Sequence, residues 1–177
     1  MTTIAYRNGI LASDSRETAC DGHHAYVITD TNTKIQRLHT AHGRRLLFAG
    51  GGNSEEVEII RRSVLEGREP PELESAEALI VDEADDRCCL YEGHIWIEVK
   101  EPFYAIGTGA PYALAAMRAG ADAIQAAEIG TAMDPNSGGD TQYLTTDKHK
   151  GVDQDSVIDR PISELDSDFP SDLQTAS

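Results

Sequence analysis

Asn8-Gly9 places the tightest constraint on how this chain can fold. The pair sits between two short runs, Thr3–Arg7 and Ile10–Ser13, of strand-like composition. Asn-Gly in that setting is the strongest short-range hairpin signal, because both central residues of the favoured turn need a positive φ. The chain is therefore expected to open as a β-hairpin. Its register then fixes which side chains share a face.

Turn signals continue at short intervals. The polar, Gly-containing stretch Glu17–His24 reads as a loop, and strands are expected near Thr33–His39 and Arg45–Ala49, joined around His42-Gly43. The run Gly50-Gly51-Gly52 is expected to end the second of these. Asn53 then reads as a helix N-cap with Glu56 three residues on, and Val57, Ile60 and Val64 fall on one helical face. Gly67 and Pro70-Pro71 stop that helix.

A second β block follows: Ala78–Val81, Cys88–Tyr91, Ile95–Val99 after the turn at Glu92-Gly93, and Phe103–Ile106. The longest helix is expected to start with Pro111 in the favoured first turn and to bury Leu114, Met117, Ala121 and Ile124. Asp134–Gly139 reads as a turn before a strand at Gln142–Thr145. Strands, helix, strands, helices, strand is the order of an α+β layered sandwich rather than of alternating βαβ units. One domain is expected over residues 1–165, with the Asp/Ser-rich residues 166–177 as a loosely held acidic tail.

Composition removes several function classes. Lys and Arg number 15 against 31 Asp and Glu, a formal net charge of −16, whereas a phosphate-binding surface needs clustered cations. Nucleic acid is therefore not an expected partner. No apolar stretch approaches the ~18 residues of a membrane span. No basic segment followed by an apolar one marks the N-terminus, so the expected location is the cytoplasm. The cysteines are Cys20 and the adjacent Cys88-Cys89, without C-x-x-C spacing, and are expected to be free thiols. Asp21, His23 and His24 are neighbours on one turn, a poor arrangement for metal ligands. The Gly50–Gly52 run lacks the Gly-Lys-Ser/Thr of a phosphate loop.

Thr2 carries the chemistry that remains. Removal of Met1 would leave a threonine with both a hydroxyl and an α-amino group, the latter with an unperturbed pKa of about 7.7–8.0. Such a residue is a nucleophile with its own base.

Four separated pieces then come together around it: Thr2-Thr3-Ile4, Ala12–Thr18 with Asp14, Lys34 in Thr33-Lys34-Ile35, and Ile106-Gly107-Thr108-Gly109. With Asp134-x-x-Ser137-Gly138-Gly139 added, the chain resembles the β-type subunits of the proteasome and the related HslV peptidase. The resemblance spans roughly residues 2–146 and keeps the family's order, with the lysine thirty-two positions after the threonine.

That resemblance implies an N-terminal nucleophile hydrolase with a four-layer αββα sandwich. Its Thr2 would attack a peptide carbonyl, Lys34 would favour loss of the hydroxyl proton, and Asp14 would hold Lys34 charged and oriented. The backbone N–H of Gly50 or Gly51 would hold the oxyanion. Thr108, where the family has serine, would join Asp134 and Ser137 in a network around the N-terminus. The resemblance also implies rings of identical subunits, unfolded polypeptide as substrate and, as the family's usual partner, an ATPase unfoldase, with a stand-alone version as the alternative; the chemistry itself requires no cofactor. Two other readings keep the fold: a ring-forming scaffold without catalysis, and an amidase for small molecules.

Overall fold

The computed structural model describes residues 2–20 and 25–149, with only the backbone given for Cys20. The expected 166–177 tail and the Asp21, His23 and His24 turn lie outside the described residues. In chain order the elements are β1 (Ile4–Arg7), β2 (Ile10–Ser13), β3 (Glu17–Cys20), β4 (Ala25–Thr29), β5 (Ile35–His39), β6 (Arg45–Gly52), α1 (Ser54–Glu66), β7 (Ala76–Asp82), β8 (Cys88–Glu92), β9 (Ile95–Glu98), β10 (Phe103–Ile106), α2 (Ala110–Arg118), α3 (Ala123–Met133) and β11 (Gln142–Thr145), followed by a 3₁₀ turn at Asp147–His149.

The opening hairpin forms as its turn demands. Asn8 and Gly9 take φ values of +48° and +75°, and β1 pairs with β2 in the register Ile4↔Ser13 to Arg7↔Ile10. Strand order in the first sheet is β10-β1-β2-β11, and in the second β5-β6-β7-β8-β9; β3 and β4 form a separate two-stranded ribbon.

Side chains alternate between the layers. Ile4, Tyr6 and Leu11 of the first sheet meet Leu47, Leu79, Val81 and Leu90 of the second in an inter-sheet core. Ala5, Ala12 and Ala105 point the other way, onto Ala113 and Met117 of α2 and Ala123, Ala126 and Ala127 of α3. Alanines on both sides let helix and sheet approach closely. The opposite face of the second sheet packs Leu46, Phe48, Ala78 and Tyr91 against Ile60 and Val64 of α1. Four layers result, α2/α3, sheet, sheet, α1, which is the αββα sandwich.

Three expectations need correction. Glu17–His24 is not all loop, because Glu17–Cys20 forms β3 and pairs with β4. The glycine run does not end β6: Gly50, Gly51 and Gly52 remain in the ladder, opposite Ala78, Glu77 and Ala76. The long helix is two. Gly120 at φ +113° turns the chain, and a capping box of Asp122 with Gln125 starts α3 afresh, so Ala121 lies in the break.

Antiparallel pairing brings the start of β1, the ends of β2 and β10 and the start of β11 to one end of the first sheet. The start of β5, the end of β6 and the start of β7 meet likewise in the second. The candidate residues lie at these strand ends.

Candidate active site

Thr2 precedes β1 and is buried at 2% exposure. Its hydroxyl donates to Asp14 Oδ1 at 2.7 Å and accepts from Lys34 Nζ at 2.6 Å. Lys34 Nζ also reaches Asp14 Oδ1 at 2.7 Å, so hydroxyl, ammonium and carboxylate form one closed triangle. Asp14 is held by three backbone N–H groups as well: Thr3 to Oδ1 at 3.0 Å, Gly138 to Oδ2 at 3.1 Å and Arg16 to Oδ2 at 3.3 Å. A fully buried carboxylate needs such partners, because an unpaired charge there is expensive.

Burial pulls the Lys34 ammonium below the usual lysine range, and the neighbouring Asp14 opposes that pull. The side chain is 7% exposed, and that of Asp14 is fully buried.

A second network surrounds the backbone of Thr2. Asp134, at the end of α3, accepts from Ser137 Oγ at 2.7 Å and from Thr108 Oγ1 at 2.5 Å. Each hydroxyl has one proton. Because Ser137 spends its proton on Asp134, Thr3 is the donor in the 2.8 Å Thr3–Ser137 contact. Thr108 likewise spends its proton on Asp134; its oxygen lies 3.5 Å from the Thr2 carbonyl, which takes its bond from Gly109 N–H at 3.2 Å. The Thr108 lone pairs are left to accept. Burial alone would raise the Asp134 carboxyl, but hydrogen bonds from Thr108, Ser137 and Asn136 outweigh it and hold it below the usual carboxylate value.

The glycines press close. A side chain on Gly51 would come 2.7 Å from the Thr2 methyl carbon. Gly50 N–H donates to the Lys34 carbonyl at 3.4 Å, longer than the usual N–H···O distance. Both line a cleft of about 260 Å³ with Thr2 and Lys34, deepened by Phe48 and Val57 and edged by Arg16, Glu17, Glu58 and Arg61.

All eight residues singled out from the sequence thus meet at one end of the sandwich. Two others escaped the sequence reading. Arg16 ties Asp30, at 2.7 Å, to the Ser137 carbonyl, at 3.1 Å, and so clamps the 134–139 turn; no spacing rule marks it. Glu77 accepts from Gly107 N–H at 2.8 Å. Its signal was a carboxylate in the apolar period-two register of Leu79 and Val81.

No protein-family model matches the chain, and no curated protein matches it either. Solved structures do. BPH of Thiobacillus denitrificans in complex with epoxomicin aligns at a TM-score of 0.55 and 21% identity, covering 81% of this chain and 96% of that one. A second structure of the same BPH gives 0.56 and 20%, covering 81% and 95%. Eukaryotic HslV from Trypanosoma brucei gives 0.54 and 17%, covering 81% and 98%. At these identities the likeness establishes architecture: the chain has the four-layer αββα fold of HslV and BPH.

Proposed function

We propose that this chain is a threonine-type peptidase acting through Thr2 once Met1 is removed. The observation that carries the proposal is the closed triangle of Thr2 hydroxyl, Lys34 ammonium and Asp14 carboxylate. In a buried site a cation on the hydroxyl oxygen favours the alkoxide over the alcohol.

Thr2 Oγ1 attacks the scissile carbonyl while its proton passes to the α-amine of the same residue. The carbonyl oxygen becomes an oxyanion facing the Gly50 and Gly51 backbone, where one donor is worth about 10²–10³ in rate. The protonated amine then gives its proton to the leaving peptide nitrogen, and the C–N bond breaks. The acyl group is left as an ester on Thr2. Water, deprotonated by the amine, cleaves that ester and regenerates the hydroxyl. Thr108, through its lone pairs, and Asp134 and Ser137, through Thr108 and Thr3, would hold the N-terminus in place during both halves.

On this reading the substrate is unfolded polypeptide, copies of the chain assemble into rings in the cytoplasm, and an ATPase unfoldase feeds them. Among the described residues no helix is long and apolar enough to cross a membrane.

The test is hydrolysis of fluorogenic peptides by the wild-type chain and by Thr2→Ala, with intact mass spectrometry to establish whether Met1 has left. Thr2→Ala is expected to lower kcat about 10³-fold or more. Equal rates end the peptidase reading. Epoxomicin, present in the BPH structure, supplies a second probe, expected to bind wild type and not Thr2→Ala.

A further inference from the structure

In β7, Leu79 and Val81 point into the inter-sheet core, and the two-residue period of a strand puts Glu77 on that same face. The carboxylate lies at the end of the layer where Thr2 sits. It is half-buried, and burial raises its pKa, with Glu92 opposite it on β8 adding to the rise and Gly107 N–H opposing.

What Glu77 touches gives it a role. Its Oε1 accepts from Gly107 N–H at 2.8 Å. Gly107 has φ +91°, and a side chain there would lie 2.1 Å from the Thr2 carbonyl oxygen. Two residues on, Gly109 N–H binds that same carbonyl. On the other side Glu77 is the ladder partner of Gly51, whose missing side chain would stand 2.7 Å from the Thr2 methyl and 4.0 Å from Glu77 Oε1. One carboxyl oxygen therefore lies between the two backbones that enclose Thr2, and it anchors one of them.

We propose that Glu77 is a positioning residue for Thr2: it fixes the Gly107 turn against the Thr2 carbonyl, which keeps the Thr2 hydroxyl on Lys34. The proposal rests on Thr2 being the nucleophile. Glu77 acts through Gly107 and touches none of the reacting atoms. The position needs a hydrogen-bond acceptor and not a negative charge, so an apolar residue would pack there yet leave Gly107 N–H without its partner, whereas glutamine would replace the bond.

The experiment compares wild type, Glu77→Gln and Glu77→Ala by fluorogenic peptide kinetics and by hydrogen–deuterium exchange of residues 2–6 and 103–109. Glu77→Ala is expected to lower kcat about 10–100-fold with KM within about 2-fold, as for a misplaced reacting group. It should also speed exchange in both segments. Glu77→Gln is expected to restore kcat to within about 3-fold of wild type and to restore slow exchange, since the acceptor geometry is kept. Wild-type exchange in Glu77→Ala overturns the proposal, as does a folded Glu77→Gln with kcat reduced as far as an alanine variant. Should wild type show no Thr2-dependent cleavage, the peptidase reading falls by itself, and the exchange rates still decide whether Glu77 anchors Gly107.

Discussion

Asp14 accepts five hydrogen bonds: Thr2 Oγ1, Thr3 N–H and Lys34 on one oxygen, Arg16 N–H and Gly138 N–H on the other. The two halves of its ion pair with Lys34 are therefore unequal. Lys34→Ala leaves the carboxylate with four donors, and we expect it to cost about 1–3 kcal/mol. Asp14→Ala leaves a buried ammonium facing Thr2 without its carboxylate and removes the acceptor of three N–H groups, for about 3–5 kcal/mol. Urea denaturation of both variants checks the order, and equal costs would refute it. Turnover should be lost in both. The same pair sets the pH profile. A base needs the Thr2 amine neutral, so kcat/KM should rise as pH passes the amine pKa. The Lys34 cation is present below its pKa and lost as pH climbs through it, and burial has lowered that pKa, so the alkaline limb should fall below the ordinary lysine range. Asp14 is what opposes burial; in Asp14→Asn the alkaline limb should therefore move to lower pH. An unmoved limb would show that Lys34 is not the group titrating there.

Glycines decide the geometry at the scale of strand and helix. In β6 they stay in the ladder and leave room for Thr2. Gly51→Ala drives a methyl to 2.7 Å from the Thr2 methyl carbon; we expect kcat to drop about 10²-fold from displacement of Thr2 while the far-ultraviolet circular dichroism is unchanged. Retained activity would remove Gly51 from the site. At α3, Asp122→Ala dismantles the capping box and should cost about 1 kcal/mol, read as a lowered urea midpoint. The opening hairpin was legible because Asn8-Gly9 dictates its turn locally. The α2/α3 break was not: Leu114, Met117, Ala121 and Ile124 keep helical spacing across it, and one glycine at about 1 kcal/mol is a weak local signal. Strand β3 lacked apolar alternation and exists through pairing with β4. The glycine extension of β6 has no side chains to read and is held by β7. Thr2, Asp14 and Lys34 were legible through spacing and family resemblance together. Arg16 acts on a turn brought close only by the tertiary fold, so no local pattern announced it; Glu77 left one local trace, a carboxylate in the register of Leu79 and Val81, but its partner Gly107 is supplied only by the fold.

The described residues form a sandwich with its candidate chemistry at one end, and the chain carries a formal net charge of −16. Like-charged copies repel, and salt screens that repulsion, with a Debye length of about 10 Å at 0.1 M. If rings form as proposed, assembly should strengthen as ionic strength rises, visible as larger species in sedimentation velocity. Dissociation by salt would instead point to contacts made by opposite charges. One feature of the site reaches beyond the finished protein. Thr2 is synthesised long before Gly138, whose N–H closes the far oxygen of Asp14 across 124 positions. While the chain is still emerging from the ribosome, the threonine has no completed cradle. The capacity to cut other chains, on the function proposed for it, would arrive only when translation of the sandwich is done, and a nascent or truncated product would be harmless to its neighbours.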